Sequence, residues 1–247
     1  MRADWDASTY DRIADPMTEW GGRVVARMEL TGDELVVDAG CGTGRVTELL
    51  LDRLGPRGRV VGLDRSPAMV GEAARRLARF GDRVGLLVAD LTDPLPVTGV
   101  DVILSTATFH WIEDHEGLFA NLYQALRPDG RLVAQFGGAG NVAAVDRALA
   151  ELGGDHPGVH YETPEATTDR LARAGFIDIR AWLEPTPVRF DSRRELETWL
   201  RTIILREVVL EVPERERAAL VAAVAERLPG GEIDYVRLNV HARRPAA

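Results

Sequence analysis

The stretch Val36-Val37-Asp38-Ala39-Gly40-Cys41-Gly42-Thr43-Gly44 decides the fold. An apolar run ends at an acid, passes through three glycines at alternate positions and opens into a helical pattern carrying Val46, Leu49 and Leu50. Short, nearly continuous apolar runs mark strands covered on both faces, so the segment reads as strand, turn and helix of a parallel sheet. Alternating glycines let the backbone turn sharply and let a ligand lie against main-chain atoms that a Cβ would block. Amides at the start of the helix add donors and positive potential suited to a carboxylate or a phosphate.

Outward from that stretch the same unit repeats. Apolar runs at 35–37, 59–63, 84–88, 100–104 and 131–136 end at Asp38, Asp64, Ala89-Asp90, Ser105 and a glycine pair. The helices between them carry start and stop signals. Ser66 precedes Pro67, with Met69, Val70, Ala73, Ala74 and Leu77 at helical spacing before Gly81. Leu118, Leu122 and Leu126 precede the turn Arg127-Pro128-Asp129-Gly130. Repeated βα units predict a doubly wound α/β fold.

Beyond residue 137 the pattern changes. Residues 137–161 read as a glycine- and alanine-rich loop with one short helix, Thr163-Pro164 opens a helix ending near Gly175, and 177–183 alternates as a strand. Helical patterns over 192–206 and 213–227 precede a last strand over 233–242. That strand puts Val236, Leu238, Val240 and Ala242 on one face and Arg237, Asn239 and His241 on the other. Two late strands predict an antiparallel addition to the sheet edge. The expected organisation is one domain over 1–247. It comprises an N-terminal helical lid (1–30), a cofactor-binding core (31–137) and a substrate-side half (138–247) with a helical insertion over 192–227.

With 45% hydrophobic and 28% charged residues, the 247-residue chain has enough apolar side chains for a sizeable core, which excludes a disordered chain. All 30 bases are arginine against 39 acids, a net charge of −9. Without lysine, Schiff-base and P-loop lysine chemistry are excluded. The acidic balance, with no basic, aromatic-interleaved groove, points away from nucleic acid. The single Cys41 excludes an internal disulfide and a zinc cysteine cluster, and no spacing suggests a metal site. The first residues are acidic without an apolar run, and no stretch approaches the roughly 18 apolar residues of a membrane span. A cytoplasmic protein, monomer or homodimer, is expected.

Two nucleotide readings compete for the glycine loop. A dinucleotide site has G-x-G-x-x-G and rests the pyrophosphate on the helix. Here the spacing is G-x-G-x-G, and Asp38 would repel pyrophosphate but attract a cation such as the α-ammonium of an amino acid. That is the logic of S-adenosylmethionine and disfavours an NAD-dependent oxidoreductase. Asp64 closes the second strand, where it either accepts two ribose hydroxyls or caps the helix at Ser66. Asp90 can accept from an exocyclic adenine amine while Leu91 packs on the ring; Met69 either covers the other ring face or belongs to the core.

These residues resemble the class I S-adenosylmethionine-dependent methyltransferases. Residues 37–44 match that family's first motif, and Gly62-Leu63-Asp64-Arg65-Ser66-Pro67-Ala68-Met69 its second-strand motif. Ala89-Asp90-Leu91 matches the adenine motif, and Leu126-Arg127-Pro128-Asp129-Gly130-Arg131-Leu132 the turn into the fifth strand. The resemblance covers about residues 5–137. Within the superfamily, 105–115, Tyr10 and Ala134-Gln135 are similar to the trans-aconitate methyltransferases. The resemblance implies a seven-stranded Rossmann-like sheet with its last strand antiparallel. It also implies S-adenosylmethionine as cofactor, with S-adenosylhomocysteine as product. The cofactor positions it suggests are Tyr10, Asp38, Gly40, Cys41, Gly42, Gly44, Asp64, Arg65, Met69, Asp90, Leu91 and Ser105.

In an open α/β sheet the ligand sits at the carboxyl ends of the strands, so the segment from Ser105 to Trp111 faces the transferred methyl. His110 reads either as a general base or as a partner of a loop carbonyl, and Trp111 as a pocket wall. His115, beside Glu113 and Asp114, reads as a solvated helix start. Trp20, His110, Trp111 and Arg201 are the candidate acceptor contacts, with Arg206 and Arg237 as further partners for an acceptor carboxylate. The expected activity is methylation of a small molecule, O-methylation of a carboxylic acid leading. The alternatives are N- or C-methylation of a secondary metabolite or peptide, and a cofactor-binding protein that does not methylate.

Overall fold

The computed structural model describes residue 11 and residues 15–247. Tyr10 and most of the first half of the expected lid lie outside the described residues. Helix α1 (Asp15–Arg27) leads to β1 (Leu35–Ala39), and the glycine turn carries the chain into α2 (Arg45–Arg53). Then come β2 (Arg59–Asp64), α3 (Pro67–Leu77), β3 (Val84–Val88), β4 (Val100–Thr106), α4 (His115–Ala125) and β5 (Leu126–Gly137). The second half holds α5 (Ala143–Glu151), α6 (Pro164–Arg173), β6 (Ile177–Pro185) and the short β7 (Val188–Arg189). It continues with α7 (Arg193–Trp199), a π turn (Leu200–Ile204), α8 (Arg206–Glu211), α9 (Glu214–Glu226), β8 (Glu232–Ile233) and β9 (Val236–Arg243).

The helix starts follow from the capping chemistry in the sequence. The Ser66 hydroxyl accepts the Met69 N–H at 3.2 Å with Pro67 in the first helical position, and Thr163 accepts the Ala166 N–H at 3.2 Å ahead of Pro164. Ser192 accepts the Glu195 N–H at 3.2 Å. The pattern over 192–206 breaks after Trp199, where Leu205 N–H reaches back five residues to the Leu200 carbonyl at 2.7 Å. Such π insertions in helices recur at functional sites.

Seven strands pair in the order β3-β2-β1-β4-β5-β9-β6. The first five run parallel, and β9 is antiparallel to both neighbours. The doubly wound sheet with an antiparallel last strand is therefore as expected. The late pair sits at the edge as a unit, with β6 outermost and β9 inside it. That placement buries the face of β9 that alternation turned outward: Arg237 and Asn239 are each 3% exposed. Asn239 there accepts a hydrogen bond from Gln135 Nε2 at 2.8 Å. The opposite edge, β3, departs from the covered strand expected at 84–88. Leu87 and Val88 are both exposed on this edge strand.

The core lies on both sheet faces. Phe109, Phe119, Phe136, Leu118 and Leu122 fill one side, and Val36, Leu50, Leu51, Leu77 and Leu104 the other. The apolar stripe of α1, Val24 and Val25 with Met28 beyond it, packs into the second cluster. A third cluster joins Val145, Leu149, Trp199, Ile203, Val221 and Tyr235 beyond β9. Strand order reverses between β1 and β4, and the crevice at such a switch point, outside the carboxyl ends of the strands, is where ligands bind in these sheets.

Candidate functional site

A cavity of about 490 Å³ runs along the carboxyl ends of the parallel strands from β3 across to the amino end of β9, a size typical of small-molecule sites. On the β2–β3 side it is lined by Asp64, Arg65, Met69, Asp90 and Leu91. Gly40, Gly42 and the residues after β4 form its middle. The β9 side is lined by His110, Asn141, Val142, His156, Tyr161, Ile203, Ile204, Tyr235 and Arg237.

Asp64 is fixed by two amides: Gly42 N–H donates to Oδ2 and Ser66 N–H to Oδ1, both at 2.9 Å. The bond from Ser66 ties the carboxylate to the start of α3, and Asp64 lines the cavity. Asp90 Oδ1 accepts from the Thr92 amide at 2.9 Å and hydroxyl at 2.8 Å. Met69 and Leu91 are buried yet line the cavity, supplying apolar surface on the β2–β3 side.

The three glycines do three jobs. At Gly40 (φ +83°) a Cβ would lie 2.1 Å from Thr108 Oγ1, so the turn after β4 closes on the loop only over a hydrogen. At Gly42 (φ +54°) a Cβ would meet nothing within 4 Å, leaving bare backbone on the cavity. Gly44 (φ +81°) faces away, and its Cβ would press on Leu77 at 3.0 Å and Ala73 at 3.1 Å. Gly44 therefore sets the packing of α2 on α3 and does not line the cavity. An open glycine cradle, a carboxylate with both oxygens positioned and two apolar ring covers together fit a nucleoside carrying a cis-diol.

Three further predicted cofactor positions turn inward. Asp38 lies beneath the loop at 1% exposure, its Oδ2 accepting the Thr47 hydroxyl at 2.6 Å and its Oδ1 without a partner. Burial pushes this carboxyl up to about 6, with the Asp64 charge adding to the rise and the Thr47 bond opposing it. Ser105 donates to the Ala39 carbonyl at 2.7 Å and staples β4 to β1. Cys41 lines an adjoining recess of about 50 Å³ with Gly40, Gly42, Thr43 and Arg45. Burial, then Asp38 and Asp64, push its thiol up. β1 is covered on both faces, so alternation along it does not reveal which side meets a ligand. Over the loop, Asp11 accepts from Thr43 Oγ1 at 2.8 Å, Arg45 Nε at 3.0 Å and Arg76 Nη2 at 2.8 Å.

On the β9 side the acceptor contacts rearrange. Arg201 is exposed on the π turn and does not line the cavity. Arg237 does, with its guanidinium 4.9 Å above the Trp20 ring. Trp20 itself stands behind the wall, edge-on to Tyr235 at 5.0 Å, while Trp199 Nε1 donates to the Tyr235 hydroxyl at 2.7 Å. Trp111 lines the cavity as expected, its ring 4.9 Å from His110.

His110 is buried, and the Gly137 N–H donates to its Nδ1 at 3.3 Å, which places the ring proton on Nε2. Burial, then the charges of Arg237, His115 and His156, hold its pKa well below the usual imidazole value. The ring is a neutral hydrogen-bond donor, and the nitrogen that a general base would use is already taken. His115, expected in solvent, is 2% exposed with Nε2 2.9 Å from the Phe109 carbonyl, and it props the turn that carries His110.

Sequence reading missed Asn141, His156, Tyr161 and Tyr235. The signal available was the long loop over 137–161, since loops of that length inside compact folds are usually functional. Asn141 Oδ1 accepts the Val236 N–H at 3.0 Å and clamps that loop to β9. Two of the four non-glycine residues with positive φ among those described, Ala107 (56°) and Val142 (51°), line the cavity. Backbone strain of this kind concentrates at functional sites.

A family profile described as a methyltransferase domain matches residues 37–134. The trans-aconitate 2-methyltransferase of Methylobacterium nodulans is 30% identical over 98% of this chain and 99% of its own length. That of an Acidovorax species is 37% identical over 96% and 93%. Among solved structures, the Haemonchus contortus phosphoethanolamine N-methyltransferase 2, in complex with phosphomonomethylethanolamine and S-adenosylhomocysteine, superposes with a TM-score of 0.67. At 19% identity, over 97% of this chain and 57% of that one, it shows the shared fold.

Proposed function

The chain belongs to the S-adenosylmethionine-dependent methyltransferases, and from that premise we propose that it methylates a carboxylate oxygen of a small acid. When bound, S-adenosylmethionine supplies a sulfonium methyl already activated for displacement. The cofactor is assigned to the β2–β3 side of the cavity, with Asp64 on the ribose and Met69 and Leu91 on the adenine. The acceptor is assigned to the β9 side.

One observation carries the choice of acceptor. Among the described residues, the β9 side offers a buried guanidinium at Arg237 and a neutral N–H donor at His110, whose Nδ1 is already taken by the Gly137 N–H. A carboxylate is ionised at neutral pH and needs no base, whereas a phenol or an ammonium group must lose a proton first. Arg237 and His110 hold one carboxylate oxygen, and the other is left to attack in line. The chain thus contributes alignment and exclusion of water, terms large enough to carry such a displacement. The relatives named for trans-aconitate support a carboxylic acid as acceptor. The acidic balance of the chain supports a free small molecule over nucleic acid.

The test is transfer of labelled methyl to a panel of small carboxylic acids, with product identified as an alkali-labile ester. Arg237→Met should lower kcat/KM by about a hundredfold, the cost of leaving a buried carboxylate unpaired, with cofactor affinity unchanged. Label appearing only in alkali-stable products would refute the reading.

A further inference from the structure

Resting on the carboxylate reading, we infer that Tyr161 is a specificity residue. Its hydroxyl donates to a second oxygen function of the acceptor, a carboxylate or carbonyl apart from the carboxylate that takes the methyl.

The side chain is held in place from several directions. On one side of it in the chain, the His160 N–H donates to the His110 carbonyl at 2.8 Å; on the other, the Glu162 carbonyl accepts the Ala139 N–H at 2.9 Å. The ring stacks on that of His110, with centroids 6.0 Å apart and planes at 28°. At Gly137 a Cβ would stand 2.7 Å from a Tyr161 ring carbon, so the ring seats only against bare backbone. A recognition group fixed in this way on a cavity wall loses little freedom when it binds.

Asn141 then sets the direction of the hydroxyl. The Val236 N–H occupies Asn141 Oδ1 at 3.0 Å, which assigns the amide nitrogen to the bond with Tyr161. An amide nitrogen only donates, so the phenolic oxygen accepts from it and keeps its own hydrogen to give. Burial pushes the phenol up against the Asn141 bond, with the Asp146 charge adding to the rise, so the hydroxyl stays a neutral donor.

The reacting carboxylate has no use for that donor. One of its oxygens is assigned to Arg237 and His110, and a hydrogen bond to the other would hold back the lone pair that attacks. A different oxygen of the acceptor is the group it suits. An acid lacking one would leave the hydroxyl facing hydrocarbon, and sites built to hydrogen-bond a substrate discriminate strongly against such analogues.

The experiment uses the full chain and Tyr161→Phe, which removes the hydroxyl and keeps the ring on His110 and Gly137. Steady-state kinetics with labelled cofactor are run on trans-aconitate, fumarate and crotonate, the last being fumarate with a methyl in place of one carboxylate. Melting temperature and the Kd for S-adenosylhomocysteine are measured on both proteins. The parent should turn over a polyacid better than crotonate. The variant should lose about tenfold in kcat/KM on that polyacid, mostly through KM, and at least fivefold less on crotonate. Equal losses on all three acids, or no loss on the polyacid, would overturn the assignment of Tyr161. A parent that methylates crotonate alone would also overturn it and leave carboxylate methylation standing. If protein that binds S-adenosylhomocysteine normally methylates no acid, both readings fall.

Discussion

At Asp38 a carboxyl is held in the floor of the site with one oxygen bonded to Thr47 and the other bonded to nothing. Its folded pKa, about 6, lies above the ordinary carboxyl value of 3.8. A carboxyl raised in this way contributes its full stability below the unfolded pKa and loses it as pH rises through the folded one. Asp38→Asn keeps an acceptor for Thr47 and removes the charge. The variant should match the parent near pH 4 and exceed it by about 3 kcal/mol above pH 7, at 1.36 kcal/mol per unit. Urea denaturation at the two pH values checks the sign. Asp64 and Asp90 were legible because each stands at or just past the last residue of its strand, on the crevice, whereas Asp38 lies one residue inside β1. Asp38 and Ser105 were not, because on strands covered from both sides no local pattern says which face meets the ligand. Arg237 was one of thirty arginines, and only its register, opposite Gly137 and Glu184, puts it in the cavity wall.

The glycine turn between β1 and α2 separates binding from stability within five residues. Gly42→Val adds a side chain where no protein atom lies within 4 Å, at a positive φ. It should destabilise the fold by only about 1–2 kcal/mol, the strain of a left-handed non-glycine residue, while abolishing cofactor binding. Gly44→Val drives its side chain into Ala73 and Leu77 and should lower the melting temperature much more, with cofactor affinity in the surviving folded protein closer to normal. Thermal unfolding paired with calorimetric titration distinguishes the two. At this scale the βα units were readable from end to end, since each is a local apolar run followed by its own caps. The π turn and the inside placement of β9 were not, because both depend on partners far along the chain: Ile204 reaches His156, and β9 is enclosed by β5 and β6.

Across the whole molecule, the cavity is assembled from the ends of β1 to β4 together with the far cluster beyond β9, so a ligand that spans it ties the two halves of the chain together. Cofactor at a hundred times its Kd should stabilise the fold by about 2.7 kcal/mol. For a chain of this length that is a rise in melting temperature of roughly 5–10 °C. No rise with S-adenosylhomocysteine at saturation would mean that the cavity does not hold the cofactor. No described helix is long and apolar enough to cross a membrane.

The recess beside the glycine turn gives this chain a built-in chemical footprint. Cys41 is its one sulfhydryl, it is 7% exposed, and its thiol is held largely un-ionised by burial and by Asp38 and Asp64. Thiol reagents act on the ionised form, so labelling should be slow and of unit stoichiometry when read by intact mass. Because the recess shares Gly40 and Gly42 with the main cavity, a seated cofactor should shield the sulfur and slow the labelling further. One alkylation rate, followed against ligand concentration, thereby becomes an occupancy gauge that needs neither an acceptor nor turnover.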